Sequence, residues 1–126
     1  MIKKFRKELN SGTISLVILA ILDQAQDPLY GYQIAKSLEH LAQPGDPAIK
    51  QGTLYPVLRS MERNQMLQSE VEPSVSGPPR RYYSITAVGR EALVEWKTIW
   101  SQTRDFVDAI LEARVRVDQE ERHDER

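Results

Sequence analysis

The succession of patterns along this chain predicts a mainly α-helical fold with one small β-hairpin and a long closing helix. Three observations predict it. Apolar residues recur at steps of three and four in separate segments, two short strand-like runs flank a turn-rich stretch, and the last apolar stripe extends well past the rest. At 126 residues the chain has room for one core rather than two.

The first helix is read from "NSGTISLVILAILDQAQ", with Asn10, Ser11 and Thr13 as start signals and Leu16, Val17, Leu19, Ala20, Ile21 and Leu22 apolar on nearly every side. That is a buried helix, and Asp27-Pro28 ends it. The second is "YGYQIAKSLEHLAQ", which places Ile34, Ala35, Leu38 and Leu41 inward and Gln33, Lys36 and Glu39 outward, before "PGDP" at 44 to 47 breaks the chain. In the third, "KQGTLYPVLRSMERNQML", Leu54, Leu58 and Met61 form the core stripe, opposite Gly52, Tyr55, Pro56, Arg59 and Arg63. Pro56 lacks an N–H and is tolerated near a first turn, so Thr53 is the expected N-cap. "MLQSEVE" and "RRYYSIT" are strands around the tip "PSVSGPP". Alternation turns Tyr83 inward with Ile85 and Tyr82 outward with Ser84. Thr86 caps the last helix, whose seam runs Leu93, Trp96, Trp100, Thr103, Val107, Ile110 and requires a partner surface. The organisation expected is an N-terminal arm and helix–hairpin domain over 1–86, a dimerisation helix over 87–117, and a charged tail over 118–126.

Composition narrows the function. The chain is 40% apolar and 28% charged without a long apolar run, so no membrane segment or secretory signal is expected and a cytoplasmic location is. It has no cysteine, which removes disulfides, thiolate zinc sites and cysteine nucleophiles. His40 and His123 fall on different elements, so no metal site is expected. Without a Ser/His/Asp set or a phosphate-cradling glycine loop, neither an enzyme nor a cofactor is expected. Net charge is only −1, but it is unevenly spread. Lys3, Lys4, Arg6 and Lys7 face one acid in the first ten residues, residues 50–90 are net positive, and the end is net negative. Local fields of this kind suit nucleic acid. The basic start is either a tail steering the protein toward DNA, the preferred reading, or a solvated end.

Three helices followed by a hairpin is the order of a winged helix-turn-helix, whose third helix enters a major groove while the hairpin, the wing, lies on the backbone. The expected DNA-binding residues are therefore Gln51, Thr53, Tyr55, Arg59 and Arg63 on the helix and Arg80, Arg81 and Tyr82 on the wing. Thr53 is equally explained as a cap, and the bland alternative for the arginines is a solvated face. Pro78 and Pro79 stiffen the wing's turn, which lowers the entropy lost on docking.

The stretches "LYGYQIAKSLE", "GTLYPVLRSMERNQML" and "GPPRRYYSITAVGREAL" together resemble the PadR family of bacterial transcriptional regulators, over roughly residues 13–112. The resemblance implies a homodimeric repressor that binds a pseudo-palindromic double-stranded operator, with the last helix crossing to the other subunit. By the same analogy, Trp96 and Trp100 form a ligand site for a small planar aromatic or cationic effector, with Asp105 or Asp108 offsetting its charge. Their bland reading is dimer core. Two positions depart from the family: Gln65 stands where glycine is usual, which would shift the left-handed turn to Asn64, and Pro78 replaces the usual glycine or arginine. The alternative function is a winged-helix module that binds protein or ligand without DNA.

Overall fold

The computed structural model of the chain describes residues 1–42 and 51–113. The break at 44–47, the side chain of Gln51, His123, the last residues of the expected 87–117 helix and the tail lie outside the described residues. Helix α1 (Ile2–Gln24) leads to a short strand β1 (Leu29–Tyr30), then α2 (Gly31–Leu41), α3 (Gln51–Arg63), strands β2 (Leu67–Glu72) and β3 (Arg80–Ile85), and α4 (Ala87–Glu112). The chain forms two compact units, Met1–Trp96 and the residues from Lys97 onward.

In the first unit the core is built at the predicted positions. Ile18, Leu19 and Leu22 of α1, Ile34 of α2, Leu54, Leu58 and Met61 of α3, Leu67, Tyr83 and Ile85 of the strands and Leu93 of α4 are all buried. Leu58 is fully enclosed, so truncation to alanine costs about 2–5 kcal/mol. Leu41 departs from its expected inward position and stands 70% exposed at the end of α2.

The sheet is antiparallel in the order β1-β3-β2, with Leu29 opposite Tyr83 and Tyr30 opposite Tyr82 on one side of β3, and Leu67 to Glu72 opposite Ile85 to Arg80 on the other. Alternation acts as expected: Tyr83 and Ile85 are buried, and Tyr82 and Ser84 occupy the opposite face. β1 is an element the sequence patterns did not announce.

Three ends differ from expectation. α1 begins at Ile2, so the basic residues Lys3 to Lys7 lie on a helix and not on an arm. Thr13 is internal to it and donates its hydroxyl to the Leu9 carbonyl at 3.0 Å. Thr53 is likewise inside α3, so it does not cap that helix. At the other end of α3 the left-handed residue is Gln65, φ 64°, and not Asn64. The Met66 N–H bonds the Met61 carbonyl at 3.0 Å and the Gln65 N–H bonds the Glu62 carbonyl at 2.9 Å, the pair of bonds of a Schellman motif.

Thr86 caps α4 as expected: its hydroxyl oxygen accepts the Gly89 N–H at 3.0 Å and lies 2.6 Å from the Gln65 carbonyl, to which it can donate. The start of α4 is thereby pinned to the turn that ends α3. Gly89 is required there, because a Cβ would collide with the Met66 carbonyl. In the second unit, the described part of α4 leaves Ile99, Trp100, Phe106, Val107, Ile110 and Leu111 exposed.

Candidate nucleic-acid interface

α3 presents Gly52, Pro56, Arg59 and Arg63 to solvent on the face opposite its core stripe, with Tyr55 half-buried at the edge of that face. Tyr55 is held by a close approach. A Cβ on Gly31, the first residue of α2, would lie 2.8 Å from Cζ and Oη of Tyr55, so glycine is what lets the ring lie against the start of α2. That start is in turn fixed by Gln33, whose side-chain oxygen accepts the Tyr30 N–H at 3.1 Å.

Beside α3 the wing closes an open groove lined by Tyr30, Tyr32 and Tyr55 on one side and by Ser76, Pro78, Pro79, Arg80 and Arg81 on the other. Its tip is ordered locally. Gly77 takes φ 99°, and the Ser74 hydroxyl lies 2.9–3.0 Å from the carbonyls of Ser76, Gly77 and Pro78. Because successive residues of a strand point to opposite faces, the two arginines separate. Arg80 shares the face of Tyr82, and its guanidinium carbon sits 4.6 Å from the centre of the Tyr30 ring. Arg81 lies on the Tyr83 side and donates Nη1–H to Ser69 Oγ at 2.9 Å.

Tyr30 is the hub of a continuous aromatic and cationic array. It stacks on Tyr32 (centroids 6.2 Å apart, planes at 20°) and receives the edge of Tyr82 (5.4 Å, 63°), while Lys36 Nζ lies 5.6 Å from the Tyr32 ring centre. The Lys36 ammonium is favoured by its hydrogen bond to Glu39 and that carboxylate's charge, which raise its pKa above the ordinary value. Tyr83, buried below, has its phenol pushed up by desolvation and by the Glu62 carboxylate, against the opposing pull of Arg81 and Arg59.

Of the residues expected to bind DNA, the structure gathers Tyr55, Arg80 and Arg81 around one groove and places Arg59 and Arg63 on the exposed face of α3. Tyr82 is outward as expected; its ring meets that of Tyr30 edge-on and it stands opposite Glu70. Tyr30, Tyr32 and Lys36 were missed. "LYGYQIAK" displays them, yet only the pairing of β1 with a strand some fifty residues later brings them to the wing.

Trp96 is half-buried against the core of the first unit. Trp100, in the second, is 42% exposed. Asp105 already accepts from Arg104 at 3.3 Å. Among the described residues, no group of three or more histidine or acidic side chains could hold a metal ion, and no helix is long and apolar enough to cross a membrane.

Residues 18–95 match the PadR-like family of transcriptional regulators. The chain belongs to the PadR-like family. A PadR family transcriptional regulator from Eggerthella lenta DSM 2243 shares 35% identity and superposes with a TM-score of 0.72 over 89% of this chain and 93% of that one. A PadR-like regulator from Bacillus cereus shares 30% identity, with a TM-score of 0.66 over 84% and 98% of the respective chains. An uncharacterized protein of Lysinibacillus sphaericus is 25% identical over 107 residues, 85% of this chain and 95% of its own. This PadR-like chain is therefore a DNA-binding transcriptional regulator rather than an enzyme, and its mainly helical fold with a small antiparallel sheet is that of its relatives.

Proposed function

We propose that this PadR-like protein is a homodimeric repressor, in which each subunit sets α3 into a major groove of a pseudo-palindromic operator and lays its wing on the adjoining backbone. The observation that carries the reading is the joint placement of an exposed Arg59–Arg63 face on α3 and a tyrosine- and arginine-lined groove immediately beside it. Arg59 and Arg63 reach base edges or phosphates. Tyr55, Arg80 and Arg81 hold the phosphate chain that passes between α3 and the wing, as phenols and guanidiniums are suited to do. Gln51 and Thr53, at the start of the helix, remain candidates for contacts to the same groove wall.

Homodimer formation is supported by the exposed apolar residues of α4, which a second copy would cover. Release of the operator by a planar aromatic or cationic effector is the proposed control, with Trp96 and Trp100 as the ligand-binding residues and Trp100 and its symmetry mate as the stacking surfaces. Such an effector must bind the operator-incompetent dimer better than the competent one, and about 1.4 kcal/mol of difference already lowers operator affinity tenfold.

The test uses genomic fragments enriched by the purified protein. Arg59→Ala and Arg80→Ala are each expected to weaken binding and to reduce the salt dependence by about one phosphate contact. Unchanged affinity and slope in both variants would contradict the assignment.

A further inference from the structure

We infer that Ser69 and Glu62 are positioning residues which hold Arg81, and with it the wing, in register with the recognition helix. The inference rests on the DNA-binding reading above. Arg81 donates Nη1–H to Ser69 Oγ at 2.9 Å, and the Ser69 hydroxyl donates its proton to Oε2 of Glu62 in the last full turn of α3. The chain of bonds thus has a single direction, from guanidinium to hydroxyl to carboxylate, and serine's one proton and an acceptor lone pair are both engaged. Each end is a charge-assisted hydrogen bond, stronger than one between neutral groups.

The register explains why these three meet. Ser69 stands opposite Tyr83 and Arg81 opposite Val71, so Ser69 and Arg81 are diagonal neighbours on the inner face of the hairpin, the face turned to α3. The elevated pKa of Tyr83 is consistent with this layer, since Glu62, Arg81 and Arg59 all act on the same phenol. One of the five guanidinium N–H groups is engaged in this link, which leaves others to meet a phosphate in a fork already oriented. Arg80 has no part in the link; it is held on the opposite face by Tyr30. The arginine pair therefore anchors the hairpin twice, once to the Tyr30 ring of β1 and once to α3. Ser69 and Glu62 act on DNA through Arg81 and need not touch it.

The experiment is a double-mutant cycle on fragments enriched by the wild-type protein, read by fluorescence anisotropy at fixed salt, with thermal melting in parallel. Ser69→Ala is expected to weaken binding by about tenfold, what a hydrogen bond to a charged group is worth. Arg81→Ala weakens it at least as much, and the double variant binds no worse than Arg81→Ala alone. Ser69→Thr, which keeps the hydroxyl, restores most of the affinity, and Glu62→Gln, which keeps an acceptor, is milder than Glu62→Ala. If Ser69→Ala does not fold, the same cycle is run with Glu62→Ala and Arg81→Ala. Additive losses, wild-type binding by Ser69→Ala, or an Arg81→Ala variant indistinguishable from wild type would each overturn the inference while leaving the regulator reading in place. A wild-type protein that enriches no fragment would overturn that reading, and this one with it.

Discussion

Gln65 ends the recognition helix with φ 64°, a conformation that costs a side-chain-bearing residue roughly 1–2 kcal/mol relative to glycine. The position is set by the bonds that run back from the Gln65 N–H to Glu62 and from the Met66 N–H to Met61, so Asn64, chemically better suited to a left-handed turn, cannot take it. The absence of the family's usual glycine at position 65 made Asn64 the expected residue, but hydrogen-bond register decided otherwise. Gln65→Gly should therefore raise stability by about 1 kcal/mol, seen as a higher urea midpoint with an unchanged slope. Gly31 works in the opposite sense. A methyl group there displaces the far end of the Tyr55 ring, a side chain that can swing aside, so Gly31→Ala should weaken operator binding by roughly tenfold at modest cost in stability. Tyr83 adds a pH signature. Its folded pKa is raised above the ordinary value of 10.0, so its contribution is fully present below that pH and is lost as pH rises through the folded value. Urea unfolding above pH 10 should show a decline in stability that is smaller in Tyr83→Phe.

At the scale of elements, what could be read from the sequence depended on whether neighbours along the chain or residues far away define the structure. α2 apart from its last residue Leu41, the inward stripe of α3, β2, β3 and the Thr86 cap follow local periodicity and capping chemistry, and are where those rules place them. β1 is two residues long and exists because Leu29 and Tyr30 pair with Tyr83 and Tyr82; no local pattern could show that. With it went the aromatic array and Lys36. The start of α1 was missed for a different reason. Asn10, Ser11 and Thr13 look like a helix start, but each costs less than about 1 kcal/mol inside a helix, and the residues before them, rich in lysine, arginine, glutamate and leucine, are good helix formers. Ile110 of the predicted α4 seam is exposed, as is Phe106 one turn before it, and on the proposed dimer reading a second copy should cover them. Phe106→Glu with Ile110→Glu should turn a dimer into a monomer in sedimentation and lower operator affinity on the order of a hundredfold, by removing the second half-site contact.

For the molecule as a whole, a net charge of −1 gives no general attraction to DNA. On the proposed reading, affinity comes from where positive groups stand: Arg59 and Arg63 on α3, Arg80 and Arg81 on the wing, and Lys36 beside the tyrosines. A dimer using such groups twice would neutralise about six to ten phosphates, which corresponds to a loss of roughly 10³–10⁵ in affinity between 50 and 200 mM salt. The measurement that bears most directly on the account is therefore selection of genomic fragments by the full-length protein, followed by titration of the best fragment at several salt concentrations. The account predicts a two-fold symmetric site bound tightly at low salt, with that steep loss as salt rises. Weak binding with no preferred sequence and a shallow salt dependence would contradict it.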